Sequence, residues 1–221
     1  MKFDHEHWHE LDINVDSLWI MGPRAKGGKH TNAYHGNFAP QIPNQMIRRY
    51  TEEGDIVMDL FMGSGTTLYE CETLKRNYIG FDINSDIINF VEQRMQGCDS
   101  INYRIHNCDV TNSEGFHQCV GEDLKQMKKH KIDLLIVHPP YLDIVKFTDK
   151  PEDLSGISNL NIFLEKFPSS YDKCSQLLEI QALLRTRHRR HLSRWRSNTT
   201  WFLSDVRHQE SFQMPTEGNC C

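Results

Sequence analysis

The stretch Asp55–Phe61 (DIVMDLF) is a short β-prone run that ends on Gly63-Ser64-Gly65, and a helix-compatible segment, Thr66–Lys75, follows at once. A strand that breaks on close glycines and turns straight into a helix opens a parallel β–α–β arrangement. The alternation continues downstream. Tyr78–Asp82 reads as a second strand, and Ser85–Gln96 as a helix with Ile87, Ile88 and Val91 on one face. Asn102–Asp109 reads as a third strand and His117–His130 as a further helix. Ile132–Val137 is a continuous apolar run closed by His138-Pro139-Pro140, as expected of a strand buried on both faces. The chain is therefore expected to be α/β, with a doubly wound, mostly parallel sheet.

Upstream, Gly22–His30 and His35–Pro43 read as loops, with Asn44 the expected N-cap of a helix over Gln45–Thr51. His5, His7 and His9 alternate, but without a carboxylate or Cys cluster beside them they read as a solvated arm, and no metal site is expected. Seven cysteines without a Cys-x-x-Cys pair indicate free thiols. There is no apolar run of about 18 residues and no apolar leader in Met1–Glu10, so no membrane partner is expected and a cytoplasmic protein is. Net charge is −5, made up of −8 before Ser169 and +3 from there on. That balance neither supports nor excludes a nucleic-acid partner, because only the binding face must meet phosphates.

The loop Asp59–Thr67 (DLFMGSGTT) is placed to hold a ligand, since glycines admit close backbone approach and the following helix start offers free N–H groups. Asp82 ends the next strand 23 residues after Asp59, near the spacing at which a carboxylate meets ribose hydroxyls. A dinucleotide fits poorly, because Leu68 replaces the third glycine and Asp59 would crowd a pyrophosphate. No Gly-Lys-Ser/Thr follows, so the loop is not a P-loop. A cofactor with an amine and a sulfonium suits the acidic loop better.

Asp59–Thr67 resembles motif I of the amino-group DNA methyltransferases, roughly D-x-F-x-G-S-G-T. Tyr34–Arg49 resembles their upstream motif X and Tyr78–Asn84 (YIGFDIN) their motif II, and Asn107-Cys108-Asp109 sits where motif III would be. The resemblance runs in the family's order from about Leu18 to Leu154. It implies a Rossmann-like class I methyltransferase fold and S-adenosylmethionine as cofactor. Phe61, Gly63, Gly65 and Thr66 would then line the methionine part, with His35 and Pro43 closing that end. Asp59 would order the loop and contact the amino end, Asp82 would take the ribose hydroxyls, Ile83 would pack on the adenine and Asp109 would accept from its amine. Two plainer readings stay open: Asp82 as a cap of the helix from Ser85, and Asp109 as a turn residue.

His138-Pro139-Pro140-Tyr141 resembles the family's catalytic (Asp/Asn/Ser)-Pro-Pro-(Tyr/Phe/Trp). An exocyclic base amine is a poor nucleophile because its lone pair is delocalised into the ring. Accepting both N–H hydrogens localises the pair, which needs an acceptor side chain, a backbone carbonyl and an aromatic face. The resemblance implies the Pro139 carbonyl as one acceptor and Tyr141 as the face for a DNA base flipped from the stack. His138 departs from the pattern, though a neutral imidazole retains one acceptor nitrogen. It leaves adenine N6 and cytosine N4 both open. No cysteine follows a proline, so C5-cytosine chemistry is not indicated. Asp143–Leu154 continues the loop, with Lys146 a candidate phosphate contact or a plain solvated lysine.

The expected organisation is an arm over 1–33, a cofactor-binding and catalytic domain over 34–168, and an atypical basic tail over 169–221. Arg185–Arg196 (RTRHRRHLSRWR) reads either as a DNA-contacting arm or as a frameshifted translation. Back-translated and read one nucleotide later, Arg187–Phe202 can encode VIGDIYRGGEVIPLGF, which resembles the strand region after this subgroup's catalytic loop. In the second case the sheet would be incomplete at its C-terminal side. The function expected is site-specific DNA amino-methylation. Methylation of protein glutamine or RNA on the same fold, or an inactive frameshifted remnant, is the alternative.

Overall fold

The computed structural model describes residues 10, 12–14, 18–31, 34 and 36–175. Within them four parallel strands, β1 (Ile56–Asp59), β2 (Asn77–Asp82), β3 (Tyr103–Asn107) and β4 (Leu134–Ile136), form one sheet in the order β3-β2-β1-β4. The order reverses beside β1, so the cleft at the strands' carboxyl ends lies at a switch point, where such sheets bind ligands. Five helices accompany the strands: α1 (Gln41–Tyr50), α2 (Thr66–Leu74), α3 (Ser85–Met95), α4 (Ser113–Gln126) and α5 (Leu160–Ser175).

Alternate side chains of the strands feed two cores, which is what doubly wound means physically. Ile56 and Met58 of β1 join Ile79, Phe81, Phe116, Val120 and Leu124 on the α4 face. Val57 joins Leu68, Tyr78, Ile88, Val91 and Met95 on the α2–α3 face. The Ile87, Ile88, Val91 stripe expected to face inward on α3 is buried. That helix starts where Asn84 caps it, accepting from the backbone N–H of Asp86 and Ile87.

Three boundaries differ from expectation. α1 starts at Gln41, not after Asn44, because Pro40 supplies helical φ/ψ at the cap and Pro43 falls in the first turn, where no N–H is required. The Asn44 amide instead donates to Glu70 Oε2 at 2.7 Å. α4 starts at Ser113 and ends at Gln126, about one turn earlier than read, with Lys128 left-handed (φ 55°) after its end. β4 is three residues long and half-buried throughout, not buried on both faces. Among the described strands it pairs only with β1, so its outer side carries no neighbour.

Part of the expected arm packs on the domain. Lys29 Nζ meets Glu72 Oε1 at 2.6 Å, His30 Nε2 meets Glu70 Oε1 at 2.7 Å, and Arg94 donates to the Lys29 carbonyl. The residues of the predicted tail beyond 175, and His5, His7 and His9, lie outside the described residues. No helix among the described residues is long and apolar enough to cross a membrane.

Candidate active site

A cavity opens at the carboxyl ends of the four strands, where the loops after β1, β2, β3 and β4 converge. The β1–α2 loop reaches it by tight backbone geometry. Gly63 (φ 52°) and Gly65 (φ 84°) are left-handed, and a Cβ on Gly65 would sit 3.0 Å from the Tyr69 ring and 3.1 Å from Val91. Gly63 faces the cavity, whereas Gly65 turns the chain into α2.

Two carboxylates hold that loop. Asp59 is fully buried beneath it, its Oδ1 accepting from the Phe61 N–H at 3.1 Å. Burial pushes its carboxyl up to about 6, partly offset by the Thr67 hydroxyl and the Phe61 N–H. Asp59 does not line the cavity and lies beneath the loop. Asp82 does line it. Its Oδ2 accepts from Gly63 N–H and its Oδ1 from Asn84 N–H, both at 2.8 Å, which ties the first two loops together. Burial raises the Asp82 carboxyl despite those N–H groups. Capping of α3 falls to Asn84, and Asp82 is left to the cavity.

Ile83 lines the cavity, and its carbonyl accepts from Lys150 Nζ at 2.6 Å. Asp109 lines it as well, while its Oδ1 accepts from both the N–H and the hydroxyl of Thr111, at 2.8 and 2.7 Å. The turn reading and the site reading of Asp109 are thus compatible. Phe61 and Thr66 are also in the wall. Pro43 is buried inside α1 and does not line the cavity. His35 lies outside the described residues.

The loop after β4 forms the opposite wall with all four of His138, Pro139, Pro140 and Tyr141. The His138 ring stacks on Phe38 (centroids 4.7 Å apart, planes 27°), and its Nε2 lies 2.9 Å from the Tyr141 hydroxyl. Burial pulls the His138 pKa below the ordinary imidazole value of 6.5. Tyr141 is 56% exposed, with its ring edge-on to His138.

Sequence reasoning missed the lid of the cavity. Phe147 stacks on Tyr34 at 5.4 Å, and the buried Asp153 accepts from Thr148 N–H and Thr148 Oγ1 through Oδ2 and from Ser155 N–H through Oδ1, each at 2.8 Å. The Phe147 N–H donates to Ser155 Oγ at 3.0 Å. The signal for Phe38 lay in the loop HGNFAPQIP, but Phe147 and Asp153 carry no local pattern that marks them. Among the described residues the lining holds four carboxylates, Asp82, Asp109, Glu152 and Asp153, and neither lysine nor arginine. Such a wall repels a phosphate and suits a cationic ligand with hydroxyl and amine donors.

Fold and site together define a Rossmann-like α/β domain with a ligand cavity at the carboxyl ends of its parallel strands. Residues 1–93 match the N6/N4 family model described as DNA methylase. The chain is 35% identical over 133 residues to the Type II methyltransferase M.MjaII of Methanocaldococcus jannaschii, covering 56% of this chain and 25% of that relative. It is 43% identical over 99 residues to M.HpaI of Haemophilus parainfluenzae, covering 43% and 32%. The chain thus spans about a quarter to a third of the length of these curated relatives. A solved rRNA methylase from Streptococcus thermophilus superposes with a TM-score of 0.42 at 15% identity, covering 63% of this chain and 64% of that one.

Proposed function

We propose that this chain is the S-adenosylmethionine-binding and catalytic portion of a site-specific DNA methyltransferase acting on an exocyclic base amine. The observation that carries the reading is the cavity in which an acidic, glycine-edged cofactor wall faces His138-Pro139-Pro140-Tyr141. The residues suit the cofactor. Each Asp82 oxygen already takes one backbone N–H and keeps a second lone pair for a ribose hydroxyl. Asp109 supplies an acceptor for the adenine amine, Ile83 an apolar face, and Phe61, Gly63 and Thr66 the methionine end. When bound, the cofactor supplies an electrophilic methyl group on a sulfonium.

The protein's own part is to make the amine nucleophilic. The Pro139 carbonyl accepts one N–H of the target amine. His138 accepts the other through its unprotonated nitrogen: with Nε2–H donating to the Tyr141 oxygen, Nδ1 is that acceptor. The aromatic face of Tyr141 stacks on a base turned out of the duplex, returning part of the few kcal/mol that unstacking costs.

The test is transfer of labelled methyl from S-adenosylmethionine to unmethylated DNA, RNA and protein in parallel. Label in DNA alone, on adenine N6 or cytosine N4, is the expected result. Label in RNA or protein with none in DNA would replace the reading, and cofactor binding by calorimetry without any transfer would identify an inactive remnant.

A further inference from the structure

We infer that Ile144, with Val145 beside it, is an apolar wedge that enters the DNA base stack next to the target base and fills the gap when that base moves into the cavity. The inference rests on the DNA amino-methylation reading above. Its first support is backbone geometry. Directly after Tyr141, Leu142 is held left-handed (φ 52°), a conformation its Cβ disfavours. The tight turn Leu142–Ile144, closed by the Ile144 N–H on the Tyr141 carbonyl at 3.4 Å, carries the chain outward. Strain of this kind persists only where the surrounding structure imposes it, and it gathers at sites that act on a ligand.

The second support is exposure at a particular place. Ile144 is 78% and Val145 37% exposed, yet both line the rim of the cavity that holds His138 and Tyr141. A β-branched side chain has little rotamer freedom to lose on insertion and gains by leaving water. A duplex with one base removed from its stack presents two apolar base faces with a void between them, and apolar side chains are the groups that enter such steps.

The third support is the footing. The segment behind the wedge is tied to the cofactor wall by the Phe147–Tyr34 stack, by Lys150 on the Ile83 carbonyl, and by the Asp153 bonds to Thr148 and Ser155. A wedge must resist being pushed back, and this one stands on a braced loop.

To test the wedge, the site that the wild-type chain methylates on plasmid DNA is mapped and copied into two synthetic duplexes. One is fully paired, and the other has an abasic position opposite the target base. We expect Ile144→Ala to lower kcat/KM about tenfold on the paired duplex and by less than about twofold on the unpaired one, where little stacking and pairing remain to be broken. Ile144→Leu should keep most of the paired-duplex rate, and S-adenosylmethionine binding should be unchanged in both variants. Equal losses on the two duplexes, no loss on the paired one, or a loss that tracks a lower melting temperature or a changed oligomeric state would overturn the wedge. A wild-type chain that methylates no DNA would overturn the underlying methylation reading, and the wedge with it.

Discussion

At the scale of single residues, the site turns on two groups whose protonation the fold has moved. His138 serves as an acceptor only while neutral. Burial lowers its pKa, so methyl transfer should hold flat through neutrality and fall only as pH drops through a value below 6.5. The pH profile of kcat checks this, and a midpoint above 6.5 would remove His138 from the acceptor role. His138→Asn should keep activity and flatten the acid limb, because its side-chain carbonyl accepts at any pH. His138→Ala should lose roughly 10²–10³-fold, the usual cost of one lost polar contact to a reacting group. Asp59 works on stability. Its folded-state pKa is raised from 3.8 to about 6, so below about pH 4 it costs the folded state nothing; between about 4 and 6 stability is progressively lost, because the unfolded carboxyl ionises while the buried one must stay protonated, and above about 6 the loss levels off. Asp59→Asn keeps an oxygen for the Phe61 N–H and removes the charge. Its stability relative to wild type should rise by up to about 3 kcal/mol between pH 4 and 7 in paired melting experiments.

At the scale of elements, one side chain gathers most of the lid's own hydrogen bonds. Asp153 takes three bonds from Thr148 and Ser155 in a buried setting. Asp153→Ala should cost about 2–4 kcal/mol, as donors lose a charged acceptor, and should speed amide exchange at Thr148 and Ser155 before the rest of the domain. Uniform exchange across the domain would mean that the lid has no stability of its own. The positions of the strands, α2 and α3 were legible in the sequence, because apolar runs, close glycines and the Asn84 cap act locally. α1 was misread, since Asn44 looks like a cap but is spent on Glu70, a partner only the tertiary fold supplies. The burial of β4 was misread because composition reports hydrophobicity and not what lies alongside. The cofactor and catalytic loops stood out through their residue types, whereas Phe147 and Asp153 reach the cavity through a loop path that no periodicity records.

At the scale of the whole molecule, the described residues hold both walls of the cavity, but β4 borders the sheet on one side. The frameshift reading of residues 169–221 is decided by the coding DNA. Read one nucleotide later, Arg187–Phe202 should continue open as VIGDIYRGGEVIPLGF, and an early stop codon in that frame would end the idea.

The sheet order also sets a timetable. β1, β2 and β3 pair with strands close in sequence, but β4 returns to β1 across a long interval, with the Ile56 N–H held by the Asp133 carboxylate 77 residues later. On a ribosome the loops after β1, β2 and β3 can therefore assemble while the loop after β4 is still unmade, and loop-closure entropy delays the last pairing further. The cavity is complete only once β4 has docked, because the loops after β1, β2 and β3 form one wall and the loop after β4 the other.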